Sequence, residues 1–165
     1  MEKSFPKSEY REYEEQKLLT KNNLYNLMTF RNEKNILIAF MATWNLKNFK
    51  FIEHIAVDEK FRGMGIGTKI VKEFIENSNS EIVLEIEPPI DNTTIKRLNF
   101  YKKLGFVFNK YIYYQPPIRK DFEKIKLNLL SYPQKLSKKK FRIVREEIYK
   151  NVYNITWLKL MFYFS

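Results

Sequence analysis

The sequence contains no cysteine and only one histidine, His54. Without thiols the chain can form neither a disulfide nor a thiolate metal site, and one imidazole alone does not build a metal centre. We therefore expect no bound metal. No long apolar run follows Met1, so we expect no signal peptide and a cytoplasmic location.

Long apolar segments are also missing, apart from residues 155–165, which are mostly apolar but too few to span a bilayer. With 165 residues, the chain is long enough for one domain with a proper core and too short for two ordinary ones. We predict a single domain over residues 1–154. The tail 155–165 is expected to pack on this domain or on a second copy in a homodimer, and the alternatives are contact with a membrane surface or no ordered role.

Acidic residues are outnumbered, with 19 Asp and Glu against 30 Lys and Arg, and the formal net charge is +11. The positive charge is spread along the chain, with one local run at Lys138-Lys139-Lys140. A solvated surface explains this distribution most simply. A polyanionic ligand or a nucleic acid is the alternative.

Glycine occurs only four times, and three of the four lie at positions 63, 65 and 67. They follow a run of β-branched and aromatic residues at 51–57, which predicts a strand. After them, apolar residues recur at helical spacing, beginning with Ile66 and Ile70. A helix that starts behind bare glycines has free amides and a favourable dipole, so we predict a phosphate site here.

The order of the glycines distinguishes between the known glycine-rich loops. No Gly-Lys-Ser/Thr follows, which excludes a P-loop, and Thr68 stands where Gly-x-Gly-x-x-Gly needs glycine. The segment does match Arg-x-x-Gly-x-Gly, as Arg62-Gly63-Met64-Gly65-Ile66-Gly67, directly after a strand ending Ile-Ala-Val-Asp. It resembles the acetyl-CoA loop of the GCN5-related N-acetyltransferase (GNAT) superfamily.

A second segment supports the resemblance. Asn99-Phe100-Tyr101-Lys102-Lys103-Leu104-Gly105-Phe106 is similar to the Tyr-x-x-x-Gly-Phe element that closes the fourth helix of the superfamily. The Phe-Ile-Glu-His at 51–54 and the Tyr-x-Gln-Pro-Pro at 113–117 resemble a group of small bacterial GNAT proteins whose substrates are unassigned.

The predicted elements come in the order of this fold. They are a helix at 8–20, strands at 24–30, 35–44 and 49–57, a helix at 66–77, a strand at 82–87, a helix ending at Gly105, short strands at 106–108 and 111–115, a strand at 125–129, and a helix capped by Ser137. The resemblance implies an α/β (α+β) fold with a central mixed six- to seven-stranded sheet flanked by helices. In it, the parallel strands 51–57 and 82–87 splay apart and hold coenzyme A.

The resemblance also implies acetyl-CoA as cosubstrate. Its pantetheine arm would pair with the backbone of Ile55 and Val57, and the amides of residues 62–68 would hold the pyrophosphate. Thr94 stands where many relatives have an asparagine that contacts the coenzyme. The implied coenzyme-binding residues are Ile55, Ala56, Val57, Arg62, Gly63, Met64, Gly65, Ile66, Gly67, Thr68, Thr94 and Tyr101.

Acetyl transfer to an amine needs an acid that protonates the departing thiolate. Tyr101 is the predicted acid because of its place in the second motif and because a phenol has a pKa of about 10, near that of a thiol. The alternative is an aromatic side chain on the buried face of an amphipathic helix.

The reaction also needs a base that deprotonates the amine, and two carboxylates are candidates. Alternation along the strand places Glu53 on the face of Ile55 and Val57, among apolar neighbours. Glu85 holds the matching place on the parallel strand, and Glu87 faces the same way. The sequence leaves the choice between Glu53 and Glu85 open, and a pair of carboxylates that binds basic neighbours is the structural alternative.

The one histidine is predicted to point to the opposite face from Glu53. A packed imidazole bonded to the backbone is the simpler interpretation of His54. A proton relay is the alternative.

We therefore predict an enzyme, an N-acetyltransferase that moves an acetyl group from acetyl-CoA to a primary amine of a small molecule or peptide. A non-catalytic acyl-CoA-binding or sensor module is the alternative, and a basic nucleic-acid-binding domain is a third possibility. The acceptor pocket of the superfamily is variable, and its aromatic lining is predicted from Tyr10, Tyr13, Tyr111, Tyr113 and Tyr114.

Overall fold

The structure, a computed structural model, describes residues 1–155. The predicted tail therefore lies outside the described residues, except for Ile155. The helices are α1 (Tyr13–Leu19), α2 (Ile66–Glu76), α3 (Asn92–Lys103) and α4 (Lys138–Asn151), and the strands are β1 (Tyr25–Arg31), β2 (Leu37–Asn45), β3 (Phe49–Val57), β4 (Glu81–Ile86), β5 (Val107–Gln115) and β6 (Ile125–Tyr132). Short 3-10 turns lie at Lys7–Glu9 and Glu59–Phe61.

The six strands form one mixed sheet in the order β1-β2-β3-β4-β6-β5. Strands β3 and β4 are parallel and are joined through α2, while the other neighbouring pairs are antiparallel. A parallel pair needs a crossover connection, and α2 supplies it. The predicted mixed sheet with its parallel pair is confirmed, with six strands in the described part of the chain.

Each face of the sheet carries its own apolar core. On one face, α4 places Ile148 and Tyr149 against Trp44 and Phe51. On the other face, α2 and α3 cover a second cluster that includes Met41, Ile52, Val71, Ile82 and Leu98. Strands β3 and β4 lie between the two cores, and their apolar side chains face both ways, with Phe51 and Val83 in the first cluster and Ile52 and Leu84 in the second.

A β-bulge in β3 sets the geometry of the site. On the β2 side, Ala42 pairs with His54 and Thr43 pairs with Ile52, so Glu53 has no partner of its own. On the β4 side, pairing ends at Ile52 and Leu84, directly before the bulge. Because a bulge bends its strand, β3 turns away from β4 beyond Ile52 and leaves a gap between the two strands.

Two predicted elements differ from the structure. The helix expected at 8–20 is a 3-10 turn followed by the shorter helix α1, because side chains from elsewhere in the fold bind the carbonyls of Ser8, Glu9 and Tyr10. The two short strands expected around 106–115 are one strand, β5, with an irregularity between Asn109 and Tyr113. Within residues 1–155, no helix has both the length and the hydropathy that a membrane span requires.

Candidate active site

The gap between β3 and β4 opens into a cavity of about 320 Å³. The residues that line it from β3, β4 and α3 include Glu53, Ile55, Ala56, Val57, Glu85 and Tyr101. Beyond Ile52 no strand of residues 1–155 lies beside the inner edge of β3, so backbone groups of residues 53–57 face the gap without a partner strand. An extended ligand with amide groups can complete this broken ladder, which is the pairing that the family resemblance implies for Ile55 and Val57.

The glycine loop lies where β3 leads into α2. Gly63 and Gly65 have φ values of +79° and +76°, a conformation that side chains rarely adopt, and an added Cβ at either position would meet no atom within 4 Å. Gly65 is the N-cap of α2, and no side chain caps this helix. The first amides of α2 are therefore free to bind an anion, and the space in front of the glycines is open to one.

Arg62 and Gly67 hold the glycine loop close to the end of β3. Arg62 Nε donates a hydrogen bond to the carbonyl oxygen of Val57 at 3.2 Å, and Arg62 lines the cavity. Gly67 lies close enough to Val57 that an added Cβ would be 3.6 Å from the Val57 side chain. The loop predicted at 62–68 and the strand residues 55–57 are thus brought together, with Met64 exposed beside them and Ile66 and Thr68 in the first turn of α2.

Tyr101 projects from α3 into the same cavity and is 6 % exposed. Its ring packs edge-on against Phe100 and Phe106. Burial raises the pKa of Tyr101 to about 12, and no hydrogen bond within the described residues stabilises its charged form. At neutral pH the hydroxyl is therefore protonated and available as a donor inside the cavity.

Glu85 lines the cavity from β4, and two tyrosines bind its carboxylate. Tyr113 donates to Oε1, and the Tyr153 hydroxyl donates to Oε2 at 2.7 Å. Burial raises the pKa of Glu85 to about 7, although the two tyrosine hydrogen bonds act in the opposite direction. A carboxylate whose pKa lies near neutrality is suited to accept and release a proton under physiological conditions.

Glu53 is committed to a buried ion pair. Its Oε1 accepts from Arg11 Nη1 at 2.5 Å and its Oε2 accepts from Trp44 Nε1 at 2.8 Å, while Arg11 Nη2 also donates to the carbonyl oxygen of Val152 at 2.5 Å. Burial alone would raise the pKa of Glu53, but the charge of Arg11 lowers it overall. These contacts favour a structural role for Glu53 and leave Glu85 as the better candidate for the base.

The bulge also corrects two predictions about direction. Phe51 packs in the core beneath α4, whereas Ile55 and Val57 pack beneath α2 and α3, so alternation is reset at Glu53. Glu53, bound to Trp44, lies on the face of Phe51 and not on that of Ile55 and Val57. His54 is not on the opposite face from Glu53.

His54 is a packed side chain and not an exposed relay. Its Nδ1 is 3.9 Å from Glu53 Oε2, and its Nε2 donates to the carbonyl oxygen of Glu9 at 2.8 Å. The ring of Phe5 packs edge-on against the imidazole, with centroids 4.7 Å apart. Burial lowers the pKa of His54, so the imidazole is neutral at pH 7. These contacts agree with the simpler interpretation of His54, a packed imidazole bonded to the backbone, rather than with a proton relay.

The Arg11–Glu53 pair yields a first prediction. Replacing Arg11 with methionine leaves the Glu53 carboxylate buried without its cation, which typically costs about 3–5 kcal/mol. We expect urea unfolding to show a loss of this size at pH 7. Because the pKa of Glu53 is lowered on folding, the stability it contributes is present above its ordinary pKa and is lost as the pH falls through the folded-state pKa.

The double variant Arg11→Met/Glu53→Gln is the matched comparison, since it removes both charges. It should recover a large part of the stability lost in the single variant. Equal stability of the single variant and the wild type at pH 7 would contradict the importance of this pair.

Thr94 has another role than the one implied by the resemblance. Its hydroxyl accepts hydrogen bonds from the amides of Ile90 and Asp91 at 3.1 Å, and Asp91 in turn accepts from the amides of Thr93 and Thr94. This capping box starts α3. Thr94 does not line the cavity, so a coenzyme contact from it stays a prediction that these contacts do not favour.

Sequence reasoning missed several residues around the cavity. Arg11 and Tyr153 come from opposite ends of the described chain, and their partners Glu53 and Glu85 are 42 and 68 residues away. Of the five tyrosines predicted to line an acceptor pocket, Tyr113 reaches the site through Glu85. Tyr10 and Tyr13 instead line a separate, more apolar groove of about 620 Å³, while Tyr111 stacks on Phe141.

The family model described as "Acetyltransferase (GNAT) domain" matches residues 25–108, just over half of the 165-residue chain. This match includes the bulged strand, the glycine loop and Tyr101. No curated protein matches the sequence significantly.

Solved structures give a consistent result. A GNAT-family protein from Bacteroides thetaiotaomicron is 27 % identical, with a TM-score of 0.86 over 93 % of this chain and 88 % of that chain. A variant of a spermidine N-acetyltransferase from Vibrio cholerae is 14 % identical, with a TM-score of 0.57 over 74 % of this chain and 75 % of that chain. A ribosomal-protein-alanine N-acetyltransferase from Escherichia coli is 17 % identical, with a TM-score of 0.56 over 78 % and 81 %. The last two share the fold alone.

Proposed function

Because the chain belongs to the GNAT acetyltransferase family, we propose that it transfers the acetyl group of acetyl-CoA to a primary amine, with Glu85 as base and Tyr101 as acid. The observation that carries this proposal is the convergence of both side chains on one cavity between the diverging strands. Acetyl-CoA supplies the activated acetyl group as a thioester.

The residues around the gap fit this cosubstrate. The free amides at the start of α2 suit the pyrophosphate, and the open space at Gly63 and Gly65 would be filled by any side chain. The unpaired inner edge of β3 suits the amides of the pantetheine arm. A loop of this kind grips an anion through its backbone, so the absence of side chains is what the binding needs.

Proton movements at the nitrogen and at the sulfur complete the reaction. An amine is protonated at neutral pH, and Glu85, with a pKa of about 7, accepts that proton so that the nitrogen can attack the acetyl carbon. As the carbon–sulfur bond breaks, Tyr101 donates a hydrogen bond and its proton to the sulfur, and the second proton, which the nitrogen loses as the amide forms, restores the Tyr101 hydroxyl. Because burial raises the pKa of Tyr101 to about 12, the hydrogen bond that its hydroxyl donates to the negative charge developing on the sulfur is the larger part of its role.

The proposal is tested by binding and turnover together. Acetyl-CoA at about 100 times its Kd should stabilise the protein by about 2.7 kcal/mol in a thermal-shift experiment. Tyr101→Phe should retain this stabilisation but lose roughly 100-fold or more in kcat, measured as thiol release with a panel of amines. Tyr13→Phe, whose side chain is 72 % exposed on α1, is the matched control and should keep wild-type turnover.

The outcomes separate the alternatives. Stabilisation by acetyl-CoA without thiol release from any amine would favour a non-catalytic binding module. Normal turnover in Tyr101→Phe would remove the proposed acid. Absence of both stabilisation and turnover would contradict the proposal as a whole.

A further inference from the structure

The cavity is acidic although the protein is strongly basic. Four glutamates line it, Glu9, Glu53, Glu85 and Glu87, against two arginines, Arg62 and Arg97, in a chain whose net charge is +11. Because the chain as a whole is positively charged, we identify the partner of each of these carboxylates. A carboxylate that has no partner of its own within the protein is the one available to bind a cationic ligand.

Three of the four carboxylates are accounted for. Glu53 is neutralised by Arg11, and Glu87 is paired with Arg97. Glu85 is bound by two tyrosine hydroxyls and is the proposed base. Glu9 has no ion pair within 4 Å among the described residues; its electrostatic neighbours are Glu87, which raises its pKa, and Arg97, which lowers it but is already paired with Glu87.

Glu9 is held in place by an unusual set of contacts. The 3-10 turn that carries it is not fixed by a neighbouring strand but by side chains that bind three consecutive carbonyl oxygens. His54 Nε2 donates to Glu9, Gln115 Nε2 donates to Ser8 at 3.3 Å, and Arg119 Nε donates to Tyr10 at 2.8 Å.

The donors of this set come from β3, β5 and the segment after β5, so the turn is attached to both sides of the cleft. A half-buried carboxylate without a cation of its own is unfavourable, because Arg97 is shared with Glu87, and burial raises the pKa of Glu9. The position of Glu9 is therefore fixed by hydrogen bonds from three segments, although its carboxylate lowers the folding stability of the protein without a ligand. This combination is typical of a group whose partner is a ligand.

The proton chemistry indicates what that ligand carries. The reacting nitrogen needs one carboxylate, Glu85, and must be neutral when it attacks. Opposite it, the Tyr101 side chain is more than nine-tenths buried and lines the cavity. Its hydroxyl has no hydrogen-bond partner within the described residues, which marks where the reacting group lies. Glu9 is surplus to this chemistry, so its partner is a charge that stays on the acceptor throughout the reaction.

We propose that Glu9 is a specificity-determining residue that binds a second ammonium group on the acceptor, so that the acceptor is an aliphatic diamine or polyamine. The inference rests on the proposed acetyltransferase function and names the substrate class of the same site. A single charge-assisted hydrogen bond of this kind is worth roughly a 10- to 100-fold change in affinity.

The test compares amines that differ in one charged group. Diaminobutane, butylamine and gamma-aminobutyrate have similar length, and their second end is cationic, apolar or anionic. With acetyl-CoA and wild-type protein, we expect kcat/KM, measured by thiol release, to be roughly tenfold or more higher for diaminobutane than for butylamine, with gamma-aminobutyrate lowest.

Glu9→Gln keeps the shape of the side chain and removes its charge. It should lower kcat/KM for diaminobutane roughly 10- to 100-fold and change that for butylamine by no more than about twofold. Glu15→Gln is the matched control, because Glu15 is an exposed carboxylate of α1 that does not line the cavity. It should leave both values unchanged.

The results distinguish this inference from the function on which it rests. Equal use of butylamine and diaminobutane by the wild type, or an equal effect of Glu9→Gln on both, contradicts the inference alone. Stabilisation by acetyl-CoA without turnover of any linear diamine also contradicts it. Absence of stabilisation and of turnover with every amine contradicts the proposed function.

Discussion

Replacing Gly65 with glutamate is expected to weaken acetyl-CoA binding by roughly 100-fold or more and thereby to abolish turnover at ordinary coenzyme concentrations. Two effects add. The residue has a φ of +76°, which costs any L side chain about 1–2 kcal/mol. The new carboxylate also enters the open space before the free amides of α2, where it takes the place of the pyrophosphate and repels it.

Gly65→Ala separates these effects, because it introduces the backbone strain without the charge. We expect it to lose part of the affinity, and the glutamate variant to lose much more, in calorimetric titrations with acetyl-CoA. Ile112→Glu places the same charge on a 73 % exposed site of the edge strand β5 and should bind normally. Wild-type affinity in Gly65→Glu would exclude this loop as the pyrophosphate site.

Replacing Glu85 with glutamine is expected to lower kcat/KM by roughly 10²–10⁴-fold while leaving acetyl-CoA affinity unchanged. The substitution keeps the length of the side chain but removes the group that accepts the proton. In the wild type, kcat/KM should rise with pH on the acidic side of the profile and level off above about 7, the pKa of Glu85. This acidic limb should be absent from the residual activity of the variant.

Glu87→Gln is the near-matched control, because the Glu87 carboxylate is already paired with Arg97. It should change turnover by only a few-fold. An unchanged acidic limb in Glu85→Gln would show that another group is the base.

Protein stability reports the same titration independently. Burial raises the pKa of Glu85 from its ordinary value of 4.5 to about 7, so the folded state holds the proton more tightly than the unfolded chain. The stability that this group contributes is full below pH 4.5 and is lost as the pH rises through about 7. Stability curves of the wild type and of Glu85→Gln should therefore diverge over this interval.

The features that sequence could predict are those encoded in neighbouring residues. The glycines at 63 and 65 and the stop at Gly105 each depend on local backbone geometry, and all adopt the conformations expected of them. The order of strands and helices follows from local patterns as well. Residues in contiguous motifs could therefore be placed, including Tyr101, whose role stays a prediction.

The features that could not be predicted depend on partners far apart in the chain. Nothing in the segment 51–57 distinguishes a regular strand from one with an extra residue at Glu53, because the bulge is fixed by packing on both faces of the sheet. The choice between Glu53 and Glu85 needed Arg11 and Tyr153, which no local pattern connects to them. The shortened first helix has the same cause.

Arg11 contacts two distant parts of the chain, and these contacts affect how the site forms during translation. Arg11 joins Glu53 to the carbonyl oxygen of Val152, and the next residue, Tyr153, binds Glu85. A nascent chain can therefore build its sheet and its glycine loop while the Glu85 carboxylate still lacks the hydrogen bond from Tyr153. With Glu85 as the proposed base, we expect fragments that end before residue 153 to lack this hydrogen bond and to transfer the acetyl group poorly.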